Sequence, residues 1–436
     1  HNTEINSILY DYGFAPKFPK EVEKSANSIA KKISVEEIKN RLDLRKTTTF
    51  TIDPEDAKDF DDALSVKKLN NGNWEIGVHI ADVSHYVKKG GIIDKEAVER
   101  ATSVYLVDRV IPMLPEILSN NICSLKPNVD RLAYSVLFEM DEKANLVDYK
   151  IAKTVIHSDV RFTYQTAQDV IDNKKGELSV ELLLLDKLSK VLRIKRQKKG
   201  SINFESTEVK FILDKDNNPI DVYFKESLST NHLIEEFMLL ANKTVAKHIG
   251  FPKKDAKSFV YRVHDLPDTD RISTLNNIVK KFGHSINNEN SNKLSESLND
   301  LLKKVKGKKE QQMVETLTIR SMAKAVYSTN NIGHYGLAFD YYSHFTSPIR
   351  RYPDLIVHRL LEDYINGATS VGKENLEKVC KHCSEMEKVA STAERDSIKY
   401  MQVKFLKNKI GDSFEGVVSG VTEWGLYVEI TENKCE

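Results

Sequence analysis

The alternation of apolar and polar positions divides the chain into strands and helices. "TTTFTI" (47–52) is β-branched and aromatic, reads as a strand, and runs straight into a group of acids. Beyond it, "DALSVKKL" and "WEIGVHIADV" alternate on either side of "NNGN", where Asn71 and Gly72 offer the positive φ angles of a tight hairpin. "STEVKFIL" and "PIDVYF" flank "DKDNN" and predict a second hairpin. From His232 the period lengthens: "HLIEEFMLLANKTVAKHIG" puts Leu233, Phe237 and Leu240 on one helical face and ends at Gly250 and Pro252. Further helices are predicted over about 268–282, 308–327, 353–366 and 373–407. "HSINNENSNKLSESLND" (284–300) reads as an exposed connection or an irregular helix start. Near the C-terminus "GDSFEGVVSGVTEWGLYVEI" gives two short strands and a glycine-containing turn, the opening of a small β-barrel.

Composition narrows the class. A chain of 436 residues with 40% hydrophobic content can bury one large core or two or three ordinary ones, which excludes a disordered protein. It has no run of eighteen apolar residues and no signal core, so neither a membrane span nor secretion is predicted. Cys123, Cys380, Cys383 and Cys435 are too few and too scattered for a disulfide framework and point to a reducing cytoplasm. The absence of an initial Met suggests a fragment or a processed form. The net charge of +1 gives no global signature of a nucleic-acid binder. Two local runs are basic, "RIKRQKKG" (193–200) and "LKKVKGKKEQQ" (302–312), and both read as solvated helix faces or loops; the first, followed closely by Phe204, reads equally as part of a basic groove.

The acids after the first strand carry the chemistry. Asp53, Asp56, Asp59, Asp61 and Asp62, with Glu55, fall within ten positions between two apolar strands. Some of these carboxylates must therefore lie along a folded sheet, where half-buried charge needs compensation. No Arg lies among them and Lys58 alone cannot neutralise five aspartates, so a divalent cation is the simplest solution. Oxygen donors without His or Cys favour Mg²⁺, Mn²⁺ or Ca²⁺ over zinc, and the spacing fits no EF-hand loop. Mg²⁺ takes one or two carboxylates per ion, so four aspartates can hold two ions and drive in-line attack on a phosphodiester.

In "HFTSPIRRYPDLIVHRLL" (344–361), Arg350 and Arg351 precede a helix start at Tyr352 and Pro353. They either pair with acids or supply a permanently charged donor to a phosphate, for which Thr346 and Ser347 are also suited. His79, Asp82 and His85 lack a third zinc ligand at a familiar spacing, and "CKHC" (380–383) reads as helix packing rather than a metal or redox pair. By pattern alone Tyr105 and Phe204 belong to the core.

Taken together, Asp-x5-Asp-x-Asp-Asp at Asp53, Asp59, Asp61 and Asp62, "HIADVSHYV", "SVYL", "INFES", "HLIEEFMLLAN" and "TSPIRRYPDL" resemble the catalytic domain of the RNase II/RNase R exoribonucleases, with the last motif closer to the RNase R type. The resemblance covers roughly 47–407. It implies an α+β RNB-type catalytic domain over 47–408, with a curved antiparallel sheet and helices around an RNA channel. Residues 1–46 are similar to the linker after N-terminal cold-shock barrels, and 409–436 to the first strands of a C-terminal OB-type barrel. The implied activity is processive 3′→5′ hydrolysis of single-stranded RNA, or of RNA with a 3′ single-stranded end, to nucleoside 5′-monophosphates, by a monomer. Asp53, Asp59, Asp61 and Asp62 would hold two Mg²⁺ ions, with Mn²⁺ as a substitute, and Asp61 would matter most. Arg350 would stabilise the transition state, Tyr105 and Phe204 would stack on the final bases, and Glu235 or Glu236 would meet the 3′ ribose. A relative that binds RNA without cutting it, and a cation-stabilised structural protein, are the alternatives; the arginine motif is unexplained by the second.

Overall fold

The computed structural model describes residues 2–203, 208–251 and 256–436. Three helices open the chain, α1 (Asn2–Asp11), α2 (Lys20–Asn27) and α3 (Val35–Lys39). They are followed by β1 (Leu42–Asp43), β2 (Thr49–Asp53), β3 (Asp62–Lys68) and β4 (Trp74–Ala81), then α4 (Val83–Tyr86) and α5 (Ile92–Arg100). A short pair, β5 (Val104–Tyr105) and β6 (Val110–Ile111), precedes the long strands β7 (Asp130–Met140) and β8 (Leu146–His157) and the short β9 (Val160–Thr163). Next come α6 (Tyr164–Asn173), α7 (Ser179–Lys198), the hairpin of β10 (Glu208–Leu213) and β11 (Pro219–Lys225), α8 (Ser229–Gly250) and β12 (Tyr261–Val263). Three helices, α9 (Thr269–Lys280), α10 (Ser291–Val305) and α11 (Gln311–Ser321), lead to β13 (Val326–Ser328), α12 (Tyr352–Ile365), the long α13 (Lys373–Lys407), and the hairpin of β14 (Gly416–Thr422) and β15 (Gly425–Ile430).

Seven strands form the main sheet in the order β1-β8-β7-β4-β3-β2-β9. Its centre is antiparallel, while β1 on β8 and β9 on β2 are parallel. Only two residues separate β8 from β9, yet five strand spacings lie between them in the sheet order. In a flat sheet that would be roughly 24 Å, whereas the link can span at most about 11 Å. The sheet must therefore curl until its ends approach, as the family resemblance led us to expect. Asp159 fastens the junction: its N–H donates to the Thr49 carbonyl at 2.7 Å and its carboxylate accepts the Thr49 N–H at 2.9 Å.

The main core lies between this sheet and α8 and α12, where Phe50, Ile52, Val78, Ile80, Phe237 and Leu355 are buried. A second core joins α9, α10 and α11 through Leu275, Val279, Leu298 and Leu301. The stretch read as an exposed connection or an irregular helix start is in part a regular helix: Asn290 caps α10 by accepting the Lys293 N–H, and the leucines behind it fall on one face. The helix predicted over 308–327 stops at Ser321, because Met322 turns extended and Val326–Ser328 pair with β12 instead. In the first hairpin only Gly72 takes a positive φ, +89°; Asn71 does not, and the loop closes through Leu69 and Asn73. The opening segment packs on the domain, with Ile5 and Leu9 of α1 against Ala390 and Ala393 of α13. At the other end β14 and β15 pair only with each other among the described residues.

Candidate active site

Strand β2 is buried along its whole length, and its last residue, Asp53, stands beside Thr163 in the register with β9. The acidic loop that follows is pinned at both ends. Arg161 donates to the carbonyls of Pro54 (2.6 Å) and Glu55 (2.9 Å). Ser124 accepts the Phe60 N–H at 3.0 Å and donates to the Lys58 carbonyl at 2.8 Å, while the Ala81 N–H donates to the Asp61 carbonyl at 2.8 Å. The chain therefore doubles back into β3, bringing Asp59 and Asp62 within the electrostatic reach of both Asp53 and Asp61. Glu55 and Asp56 remain exposed.

Burial and mutual repulsion raise these carboxyls. Asp53 is lifted by burial and by the Asp62 charge to about 8, and Asp62 by burial to about 6. Burial raises Asp61 and Asp59 as well, and the Arg350 guanidinium opposes it at both. Arginines remote in sequence, Arg350 and Arg161, thus supply part of the compensation that no Arg inside the cluster could give. They leave it incomplete: Asp53 Oδ2 is buried without a hydrogen-bond partner. Among the described residues no three His, Cys, Asp or Glu side chains close around one point. An oxygen-only donor set with a buried, unpartnered carboxyl oxygen fits hard cations that take one or two carboxylates each.

The two arginines of "PIRRYP" diverge. Arg351 is drawn into the protein by Asp354, which it meets at 2.7 Å and which is fully buried. Arg350 stays half exposed, with its Nε 3.8 Å from Asp61 Oδ2 and its Nη2 donating to Ser347 Oγ at 3.0 Å. The backbone leading to it is held by buried side chains that sequence reasoning missed. Asn242 of α8 accepts the Phe345 N–H (2.7 Å), His358 of α12 bonds the Phe345 carbonyl (2.7 Å), and Asp354 accepts the Ser347 N–H (2.8 Å). The last clamp is Asp61 itself, whose Oδ1 accepts the Ile349 N–H at 2.9 Å. Thr346 and Ser347, read from the sequence as suited to phosphate oxygens, are buried parts of this clamp.

Tyr105 is 41% exposed rather than core. Burial of its hydroxyl and the charges of Asp59 and Asp61 raise its pKa, and Arg350 opposes them, which puts the ring at the cluster. Its N–H is held by Glu394 of α13 at 3.0 Å, and the nearby Ser103 N–H donates to the Arg350 carbonyl at 3.0 Å. Phe204 lies outside the described residues. Tyr164, at the start of α6, was not singled out by pattern; burial, then Asp62 and Asp53, raise its hydroxyl. Glu235 and Glu236 separate: Arg196 of α7 grips the buried Glu236 at 2.5 Å, whereas Glu235 stays exposed with longer contacts to Arg196 (3.3 Å) and His232 (3.4 Å).

The remaining motifs are structural. His79 is buried between Ser135 (2.7 Å) and Ser65 (2.8 Å), and Asp82 is taken by Arg41 at 2.7 Å, so the two do not form a zinc site with His85. Cys380 and Cys383 are buried in α13. The two basic runs meet: Lys198 from the first and Lys303, Lys306, Lys308 and Lys309 from the second line one groove of about 1080 Å³ that also reaches Asn203.

The curled mixed sheet holds the acidic loop against the arginine segment, and comparison with known proteins assigns the family. The RNB domain matches residues 41–367, and the chain belongs to that family. It is 45% identical over 442 residues to ribonuclease R of Thermotoga maritima, covering 98% of this chain and 61% of that protein. It is 38% identical over 449 residues to ribonuclease R 1 of Lactococcus lactis, covering 99% and 54%. The fold superposes with a TM-score of 0.91 and 30% identity on Mycoplasma genitalium RNase R in complex with ribose-methylated single-stranded RNA, covering 99% of this chain and 68% of that one. The chain thus spans between about half and two thirds of the length of these curated relatives.

Proposed function

We propose that this chain is the catalytic part of a metal-dependent 3′→5′ exoribonuclease that hydrolyses single-stranded RNA, or RNA with a 3′ single-stranded end, and releases nucleoside 5′-monophosphates processively. The observation that carries the reading is the bond from the Ile349 N–H to Asp61, which ties an acidic cluster to the half-exposed guanidinium of Arg350. Two divalent cations, Mg²⁺ with Mn²⁺ as substitute, held by Asp53, Asp59, Asp61 and Asp62, would activate the attacking water and stabilise the leaving 3′ oxygen. Arg350 donates its guanidinium N–H groups to the phosphate oxygens as negative charge builds on them. Tyr105 and Phe204 stack on the last bases, which holds any sequence because every base has a π-face. Glu235 takes the 3′ ribose, since Glu236 is already satisfied by Arg196, and contacts to the 2′-hydroxyl select RNA over DNA. The lysine groove beside Asn203 suits the approaching phosphate backbone. The enzyme acts in the cytoplasm as a monomer.

Product analysis tests this. Single-stranded RNA incubated with the chain and Mg²⁺ is expected to yield nucleoside 5′-monophosphates from the first time points. Internal fragments or 3′-phosphates would overturn the assignment. Binding without cleavage in both Mg²⁺ and Mn²⁺ would favour the alternative of an RNA-binding relative without catalysis.

A further inference from the structure

We infer that Asp354 is a positioning residue for Arg350, an inference that rests on the exonuclease reading above. Asp354 lies in the first turn of α12 and is fully buried. Through a single oxygen, Oδ1, it accepts both the Ser347 N–H (2.8 Å) and the Arg351 Nη2 (2.7 Å). Each contact fixes a different part of the arginine pair. Ser347 is the residue whose hydroxyl accepts Arg350 Nη2, and its carbonyl accepts the Arg351 N–H at 3.0 Å. Holding Ser347 by its N–H therefore sets the turn from which the Arg350 side chain departs and the hydroxyl on which it rests. Holding Arg351 removes the neighbouring guanidinium from competition for Asp61 and for a phosphate. Asp61 closes the same turn from the other side through the Ile349 N–H, so the carboxylate at the reacting centre and the carboxylate in the helix grip one peptide segment from opposite ends. Asp354 touches neither substrate nor the acidic cluster; it acts through Ser347. A displacement of about 1 Å at a catalytic group can cost ~100-fold in rate, so a side chain that only fixes the departure point of Arg350 can govern turnover.

A double-variant cycle on the whole chain tests this, with kcat, KM and Tm measured for D354A, D354N, R350A and D354A/R350A on the same single-stranded RNA. D354A is expected to lower kcat by about 100-fold with KM within a few-fold of the parent. Added to R350A it is expected to cost less than about threefold more, because the group it positions is already gone. D354N retains an oxygen acceptor for the Ser347 N–H but no charge for Arg351, so kcat is expected to recover to within about tenfold of the parent while Tm falls as it does in D354A. A merely structural Asp354 gives the opposite pattern: losses in D354A and R350A that multiply, and kcat in D354N as low as in D354A. Either result overturns the inference. Should D354A fail to fold, D354N takes its place in the cycle: its loss of up to about tenfold is expected to vanish on the R350A background, and a full additive loss counts against the inference. If the parent chain leaves RNA intact, the exonuclease reading falls and this inference with it; additive losses in an active parent sink the inference alone.

Discussion

The carboxylate of Asp61 accepts the backbone N–H of Ile349 at 2.9 Å, across 288 residues of sequence. The bond joins the loop that carries the acids to the segment that carries Arg350, so the spacing between the two is set by the fold and not by the flexible arginine stem. D61N keeps an oxygen for that N–H and removes only the charge. Turnover of RNA is expected to fall by on the order of 100-fold or more, while the metal-free protein melts no lower than the parent, since one of several repelling buried charges is gone. Parallel rate and melting measurements check this; a large drop in Tm would show that the charge serves the fold.

The acids give the metal-free protein a characteristic pH dependence. The folded-state pKa of Asp53, about 8, and that of Asp62, about 6, lie above their unfolded values. The folded state then binds more protons than the unfolded one, so their stability contribution is full below pH 4 and is lost as pH rises towards 8. In EDTA, Tm is expected to fall over this window, and both D53N and saturating Mg²⁺ are expected to flatten the slope. An identical slope with and without Mg²⁺ would mean that no cation binds these groups.

Asp82 works with the reverse sign. It is fully buried, and although burial pushes its pKa up, Lys153 at 3.4 Å and Arg41 at 2.7 Å hold it far below the usual carboxylate range. Its contribution is present above the unfolded pKa and disappears as pH falls into the acid range. D82A is expected to destabilise the protein by about 1.5–3 kcal/mol, because Arg41 and Lys153 lose a buried carboxylate while keeping Glu37 (2.6 Å) and Glu362 (2.6 Å). Denaturant melts measure this, and a change below about 1 kcal/mol would refute it.

Arg350 and Arg351, adjacent in sequence, are expected to fail differently. R350A removes a half-exposed side chain and should lower kcat by about 100- to 1000-fold with Tm unchanged. R351A strips the partner from buried Asp354 and should lower Tm first. Equal effects on Tm would erase the distinction drawn between them.

Y105A should weaken binding of short RNA by about 5- to 150-fold, the loss of one stacked base, with little change in fold because the ring is already exposed. Fluorescence anisotropy with a short labelled RNA in EDTA measures it. Unchanged affinity would return Tyr105 to the bland role that its pattern first suggested.

The parts of this molecule legible in the sequence are those fixed by neighbours in the chain. The hairpin at Gly72, the face of α8 through Leu233, Phe237 and Leu240, and the whole of α13 follow from short-range period and turn chemistry. The acidic loop could be read as a cation site because its crowding is itself local. The curl forced by the two-residue link from β8 to β9 came from the resemblance and not from the local pattern, and what stayed hidden depends on contacts between distant segments: the clamp of Asn242, His358 and Asp354 on the arginine segment, and the approach of Arg350 to Asp61. An Asn inside a helix or an Asp in a first turn has an ordinary local explanation, so nothing in either position announces its partner. The different settings of Glu235 and Glu236 were equally closed to sequence, because they depend on how closely each meets Arg196 of a distant helix.

The most direct test of the central claim is a time course on 5′-labelled single-stranded RNA in Mg²⁺, run beside EDTA and beside D61N. The account expects a ladder that shortens from the 3′ end to a small oligonucleotide with the parent chain and full-length RNA in both controls. RNA that stays intact with the parent, or a ladder that persists in EDTA, would contradict it.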